Sequence, residues 1–175
     1  EIGLELFSEL LADAVRELKQ EESPVQRVSC ETKLGIQAYL PAAYVPDVSL
    51  RLQFYKLLAT AREHGELDDI FSDLVDQCGR PPEPAKNLLE ATHLKIDCQR
   101  LGAESLTYNR GGFVLRLAES SPLAGEAVFG LLQRPSSRWK LTPSIELIRD
   151  VTVTEWENGL ESARVAIREL LRYAE

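Results

Sequence analysis

The sequence lacks methionine altogether and has only three cysteines, Cys30, Cys78 and Cys98. They form no Cys-x-x-Cys pair, and no histidine stands at metal-ligand spacing from them. An odd, unpaired set of cysteines argues against a disulfide framework and against a zinc site. The chain also has no apolar run near the roughly 18 residues of a membrane span. We therefore predict a cytoplasmic protein with no membrane partner, and the missing methionine predicts a fragment of a longer protein.

Phosphate-binding signatures are absent as well. Neither G-x-x-x-x-G-K-[ST] nor G-x-G-x-x-G occurs, so ATP and dinucleotides are not expected ligands. The sequence Glu66-Leu67-Asp68-Asp69 resembles the acidic box that holds magnesium in ATPases, but such a box follows a buried strand and works beside a phosphate loop. Here it begins a predicted helix. We therefore predict no catalytic residue, no cofactor and no metal ligand.

The two histidines are far apart in the sequence. His64 stands in a turn beside Gly65, and His93 lies within a predicted helix. Either ring could meet an acid in space, but a solvated or capping histidine is the more ordinary interpretation than a general base. We predict no catalytic role for them.

Positive charge is in short supply. The formal net charge is -8 and the pI is near 4.9. Proteins that grip nucleic acid or anionic lipid through electrostatics need an excess of lysine and arginine. No direct nucleic-acid partner is therefore expected, and a basic protein partner fits the charge better.

Apolar periodicity predicts an α+β fold, with several amphipathic helices packed on a small, mainly antiparallel β-sheet. Helices are predicted at residues 2–19, 47–62, 66–78, 83–101, 122–132 and 154–173. Strands are predicted at residues 34–40, 105–108, 113–117, 139–141 and 145–148. Residues 20–27 are a predicted linker. The core is predicted to contain Leu34, Ile36, Phe54, Leu58, Phe71, Leu74, Leu88, Leu89, Ile96, Val114 and Ile148.

The helix at residues 66–78 carries an acidic stripe opposite its apolar stripe. Its acids are Glu66, Asp69, Asp73 and Asp76. Acids in the first turn complement the helix dipole, whereas Asp73 and Asp76 near the C-terminal end oppose it. No lysine or arginine occurs from residue 63 to residue 79, so no partner within the helix compensates these charges. We predict that the four acids form a docking surface for a basic partner. The alternative is the solvated face of a core helix.

A basic stripe on the last predicted helix has an ordinary explanation. Arg164, Arg168 and Arg172 follow Glu157 and Glu161 on the same face. Acids before bases along a helix match its dipole and pair with each other. We predict no binding role for this stripe.

A long series of spaced matches resembles the C-terminal domain of bacterial transcription-repair coupling factor and covers most of residues 28–150. The matching segments include Tyr44-Val45-Pro46-Asp47, Phe54-Tyr55-Lys56-Leu57-Leu58, Glu66-Leu67, Leu74-Val75-Asp76, Gly79-Arg80-Pro81-Pro82-Glu83-Pro84, Leu101-Gly102, Gly111-Gly112-Phe113 and Gly130-Leu131-Leu132-Gln133. One departure is Cys78, where the family pattern has an aromatic residue before the glycine.

The resemblance implies a regulatory role. In this family an ATP-dependent DNA translocase rescues stalled RNA polymerase, and its N-terminal UvrB-like module recruits the excision-repair protein UvrA. The C-terminal domain folds back on that module and masks it, without catalysis of its own. Residues 1–27 are then expected to be a connecting helix and linker from the translocase part, and residues 28–175 the C-terminal regulatory domain.

Two other functional classes stay open at this point. One is a generic interaction adaptor for another basic partner, and the other is an enzyme whose site consists of dispersed residues. A pocket with strongly shifted carboxylates would indicate the enzyme. Binding to the parent protein's own UvrB-like module would distinguish the masking domain from the adaptor.

Overall fold

The computed structural model describes residues 30–109, 111–123, 126–134, 137–152 and 159–174. The predicted helix at residues 2–19 and the linker at residues 20–27 lie outside these ranges, and the domain boundary after residue 27 stays a prediction. The described residues fall into two compact units. The helical unit contains Ile36–Ile96, and the sheet unit contains residues 30–35 and the described residues from Asp97 onward.

Three helices build the helical unit: α1 (Val48–Thr60), α2 (His64–Cys78) and α3 (Glu83–Arg100), whose last four residues belong to the sheet unit. The carboxylate of Asp47 caps α1, because its Oδ1 accepts a hydrogen bond from the Leu50 N–H at 2.8 Å. The helices enclose one apolar cluster. Its members are Ala38, Leu40, Val45, Phe54, Tyr55, Leu58, Leu67, Leu74, Ala85, Leu88 and Ile96.

The predicted strand at residues 34–40 is wrong, although its burial pattern is right. Leu34, Ala38 and Leu40 are buried as the alternation predicts, but the segment joins no sheet. Gly35 interrupts it with a φ of 68°. Beyond the glycine, the Tyr39 N–H donates to the Pro84 carbonyl (3.1 Å) and the Leu40 N–H to the Tyr55 hydroxyl (2.8 Å). These bonds satisfy the backbone without a neighbouring strand.

The sheet unit contains one five-stranded sheet. Its strands are β1 (Glu31–Lys33), β2 (Ala103–Asn109), β3 (Gly112–Leu117), β4 (Trp139–Leu141) and β5 (Glu146–Asp150). Their order is β1-β2-β3-β5-β4, with β1 parallel to β2 and every other pair antiparallel. The strands predicted at residues 105–108 and 113–117 are therefore present as the antiparallel pair β2 and β3. The α+β prediction, with amphipathic helices and a small, mainly antiparallel sheet, is confirmed.

Two further helices belong to the sheet unit, α4 (Glu126–Leu132) and α5 (Gly159–Ala174). The predicted start of α4 at residue 122 is wrong. Ser121 forms a turn there, because its hydroxyl donates to the Leu101 carbonyl and accepts from the Leu123 N–H. Local side-chain bonds of this kind compete with helix formation. Helix α5 covers residues 159–173 of the predicted range 154–173, whose first five residues lie outside the described part of the chain. It buries an apolar face that includes Leu160, Ile167 and Leu170.

The core prediction is correct for Leu34, Phe54, Leu58, Leu74, Leu88 and Ile96, which are all buried. Ile36, Phe71 and Leu89 are half-buried. On β3 and β5 the wrong face was chosen: Val114 pairs with Ile148 and both are half-buried, whereas Phe113, Leu115 and Leu147 are buried. Successive residues of a strand point to opposite sides. Val114 and Ile148 share their faces with charged residues such as Arg116 and Glu146, which the alternation places on the less buried side.

Ile145 has an unusual backbone. It stands before β5 with a φ of 60°, the left-handed region, and its side chain is 72% exposed. That conformation costs an L residue about 1 to 2 kcal/mol. We expect Ile145→Gly to raise the free energy of unfolding by about 0.5 to 1 kcal/mol, because strain relief exceeds the added chain entropy. Chemical denaturation measures this gain. Ile145→Ala keeps the strain and is the control, so an equal gain in both variants would contradict the explanation.

Candidate protein-interaction surface

Helix α2 forms because apolar residues recur at helical spacing between two clear ends. It begins at His64, and the Glu66 carboxylate accepts a hydrogen bond from the Arg62 N–H at 2.7 Å, which satisfies a backbone donor just before the helix. It ends at Gly79, whose φ of 81° suits a glycine. Leu67 and Leu74 are fully buried in the apolar cluster. This packing fixes which face of α2 points to solvent.

The four predicted site residues lie together on that solvent face. Glu66, Asp69, Asp73 and Asp76 are all exposed. Their spacing places them within about 80° of arc and along about 15 Å of helix. We call this set the acidic face. The structure thus brings all four candidates onto one accessible surface, roughly opposite the buried leucines.

The acids of α2 differ in their local partners. Glu66 bonds the Arg62 backbone, and Asp68, which is outside the acidic face, accepts from His93. Within the described part of the chain, the carboxylates of Asp69, Asp73 and Asp76 make no hydrogen bond and no ion pair. The last turn of α2 contains no basic residue. Three unneutralised carboxylates therefore stand on one helix, and two of them are near the end that disfavours them.

The solvated or capping role predicted for the histidines is wrong for His93. His93 is buried, its Nε2 lies 3.1 Å from Asp68 Oδ1, and its Nδ1 lies 2.6 Å from Nδ1 of His64. In the neutral pair, the Nε2–H of His93 donates to Asp68, so its Nδ1 accepts from His64. This chain of bonds joins α2 to α3 and helps to orient the acidic face. Sequence reasoning missed it because the contact depends on how the two helices pack.

A shallow groove lies at the C-terminal end of α2. It has a volume of about 470 Å³ and is lined by Pro41, Ala43, Tyr44, Arg80, Pro81 and Pro82. The Tyr44 hydroxyl donates to the Gly79 carbonyl at 2.7 Å, directly after the helix. Burial, and secondarily the electrostatic effect of the Cys78 side chain, raise the pKa of Tyr44 above its ordinary value of 10.0. No local pattern in the sequence indicates that Pro41 and Tyr44 face the prolines that follow α2.

One arginine of the stripe on α5 contacts an acid that lies outside its own helix. Arg168 lies with its Nε 4.0 Å from Oδ2 of the buried Asp97, a residue distant in sequence but within the same unit. Glu157, one of the two predicted partners, is outside the described residues. Arg168 thus contacts an acid other than the two predicted partners, and the absence of a binding role for the stripe stays a prediction.

Two further features were sought in the described ranges, a metal site and a membrane-spanning helix. No group of three or more histidine, cysteine, aspartate or glutamate side chains is arranged there to hold a metal ion. No helix in those ranges is long and apolar enough to cross a membrane.

Comparison with known proteins identifies a family that this chain matches. Residues 34–128, more than half of the chain, match the TRCF domain. The transcription-repair-coupling factor of Escherichia coli (strain K12) is 34% identical over 173 residues, covering 97% of this chain and 15% of that protein. That of Myxococcus xanthus is 33% identical over 171 residues, covering 97% and 14%.

A solved structure shares the fold. The crystal structure of the C-terminal domain of transcription-repair coupling factor has a TM-score of 0.72 and 19% sequence identity, covering 83% of this chain and 94% of that chain. The present chain spans only about 15% of the length of the first two curated relatives. The family match and the shared fold lead to the same assignment: the chain belongs to the TRCF domain family.

Proposed function

We propose that this chain is a non-catalytic autoinhibitory domain of a transcription-repair coupling factor. It masks the UvrA-binding surface of the N-terminal UvrB-like module of the same protein. In this way it controls when nucleotide excision repair is recruited to stalled RNA polymerase. UvrA and RNA polymerase are then indirect partners, and the UvrB-like module is the direct one.

One observation carries the proposal: Asp69, Asp73 and Asp76 are exposed, and within the described residues they have no partner. Natural helices place acids at the N-terminal end and bases at the C-terminal end, because this arrangement matches the dipole. Two acids in the opposite place are explained if they act in a complex. A UvrA-binding surface that also receives this helix would be basic, which gives the acidic face a complementary target.

Masking requires only a population shift. If the closed state dominates, UvrA binds the small open fraction, and its apparent affinity falls by that fraction. Anything that weakens the acidic face's contacts raises the open fraction. The test is UvrA titration of the full-length parent with and without Asp73→Ala and Asp76→Ala, for which masking predicts tighter binding by the variant.

We expect the purified chain neither to hydrolyse ATP nor to bind duplex DNA appreciably at physiological salt. It has no phosphate-binding loop in its sequence, and its net charge of -8 opposes the DNA backbone. ATPase assays and fluorescence titration with labelled duplex measure both activities, with the full-length parent as the positive control. Micromolar DNA binding with a steep salt dependence would show that this assignment is wrong.

A further inference from the structure

The groove and the acidic face meet at the C-terminal end of α2. Asp76 lies one helical turn before Gly79, which is about 5 Å along the axis. The Gly79 carbonyl accepts a hydrogen bond from the Tyr44 hydroxyl, and the next residue, Arg80, lines the groove. All of these residues belong to the helical unit, so one partner surface can meet both features.

The walls of the groove are fixed before any partner arrives. Three of its lining residues are prolines, whose φ angles are constrained. The Pro41 carbonyl accepts from the N–H groups of Tyr44 and Val45, both at 2.9 Å. The Pro82 carbonyl accepts from those of Ala85 at 3.0 Å and Lys86 at 3.2 Å. A groove held in this way loses little conformational entropy when it is filled, which favours binding.

The lining decides what can enter. Proline rings, the Ala43 methyl and the Tyr44 ring make its surface mainly apolar, and the tyrosine hydroxyl is already engaged. The exposed Arg80 repels a second cation. A basic side chain of a partner is therefore attracted to the acids of α2 and repelled from the groove. The groove itself suits an uncharged, apolar side chain of that partner.

We propose that the groove receives one apolar side chain of the basic partner that docks on the acidic face. This inference rests on the proposed masking function and adds a specificity element to it. The partner surface then presents arginine or lysine toward Asp73 and Asp76, followed by an apolar residue about one helical turn further along. Charge alone would let many basic proteins dock, whereas the groove selects those with the apolar residue in this place.

Adjacent alanines provide the test. Ala42 and Ala43 are both exposed in the same turn, but only Ala43 lines the groove. We expect Ala43→Glu and Ala43→Lys each to raise the apparent UvrA affinity of the full-length parent by about tenfold, because either side chain occupies the groove and excludes the apolar contact. Ala42→Glu and Ala42→Lys should change it less than about threefold, following the sign of the charge alone.

The outcomes separate the two proposals. Equal effects of matched substitutions at Ala42 and Ala43 would overturn the groove inference. If Asp73→Ala with Asp76→Ala tightens UvrA binding while both Ala43 variants leave it unchanged, only the groove inference fails. If none of the variants changes UvrA binding, the masking function itself fails. Unfolding midpoints of the 175-residue chain establish that each variant is folded, and the Ala43 effects should persist at high salt because an apolar contact is not screened.

Discussion

Leu74→Ala is expected to lower the free energy of unfolding by about 2 to 5 kcal/mol, which is a large share of the stability of a typical domain. Leu74 has no exposed surface and packs in the apolar cluster with Phe54, Leu58 and Leu88. Its truncation removes buried methyl groups and leaves a cavity that close-packed neighbours fill only in part. Urea denaturation of the 175-residue chain, followed by far-ultraviolet circular dichroism, measures the loss.

A matched leucine on the neighbouring helix provides the control. Leu57 lies on α1 and is 39% exposed, so Leu57→Ala should cost less than about 1 kcal/mol. If Leu74→Ala costs no more than Leu57→Ala, then α2 does not insert its apolar face into the core as described, and the orientation of the acidic face would be in doubt.

The second large effect concerns function. Asp73→Ala together with Asp76→Ala is expected to tighten UvrA binding by the full-length parent about tenfold or more. The estimate assumes that the two carboxylates together contribute about 1.4 kcal/mol or more to the closed state at a partly buried interface. Removing contacts that exist only in the closed state raises the open fraction, and the apparent affinity for UvrA rises with that fraction. UvrA titration at two salt concentrations measures the gain, which should shrink as salt screens the wild-type contacts.

The same double substitution should leave the isolated chain as stable as before, or slightly more stable. Both acids oppose the dipole of α2, and alanine is the better helix former. A charge-matched control replaces Glu104 and Glu119, two exposed acids of the sheet unit, with alanine. A folded double variant of Asp73 and Asp76 that binds UvrA like the wild type, or no better than this control, would assign the acidic face to simple solvation.

The acidic face was predictable because it depends only on the repeat of about 3.6 residues per turn of a single α-helix. Leu67 and Leu74 recur at seven residues and Glu66, Asp69, Asp73 and Asp76 at three or four, so helix geometry alone separates the buried from the exposed side. The helix predicted at residues 47–62 likewise begins at Asp47, the residue that caps α1. Local physics determines these features, and tertiary contacts did not override it.

Features that depend on packing between distant segments could not be predicted from the sequence. The extended residues 36–40 bury alternate side chains like a strand, but their hydrogen bonds go to Pro84 and Tyr55, which no local pattern reveals. The contact between His64 and His93 requires α2 to lie beside α3. The groove requires the turn at Pro41 to face the prolines that follow α2. Each joins segments that are distant along the chain, where periodicity carries no information.

The central claim is that the acidic face holds the UvrB-like module of the parent protein, and direct titration of the 175-residue chain against that purified module tests it most directly. We expect saturable one-to-one binding that weakens as salt rises and that Asp73→Ala with Asp76→Ala reduces about tenfold. No binding by the folded chain would contradict the claim and favour an adaptor for a different basic partner. Equal binding by the double variant would contradict it as well, because another surface of the chain would then hold the module.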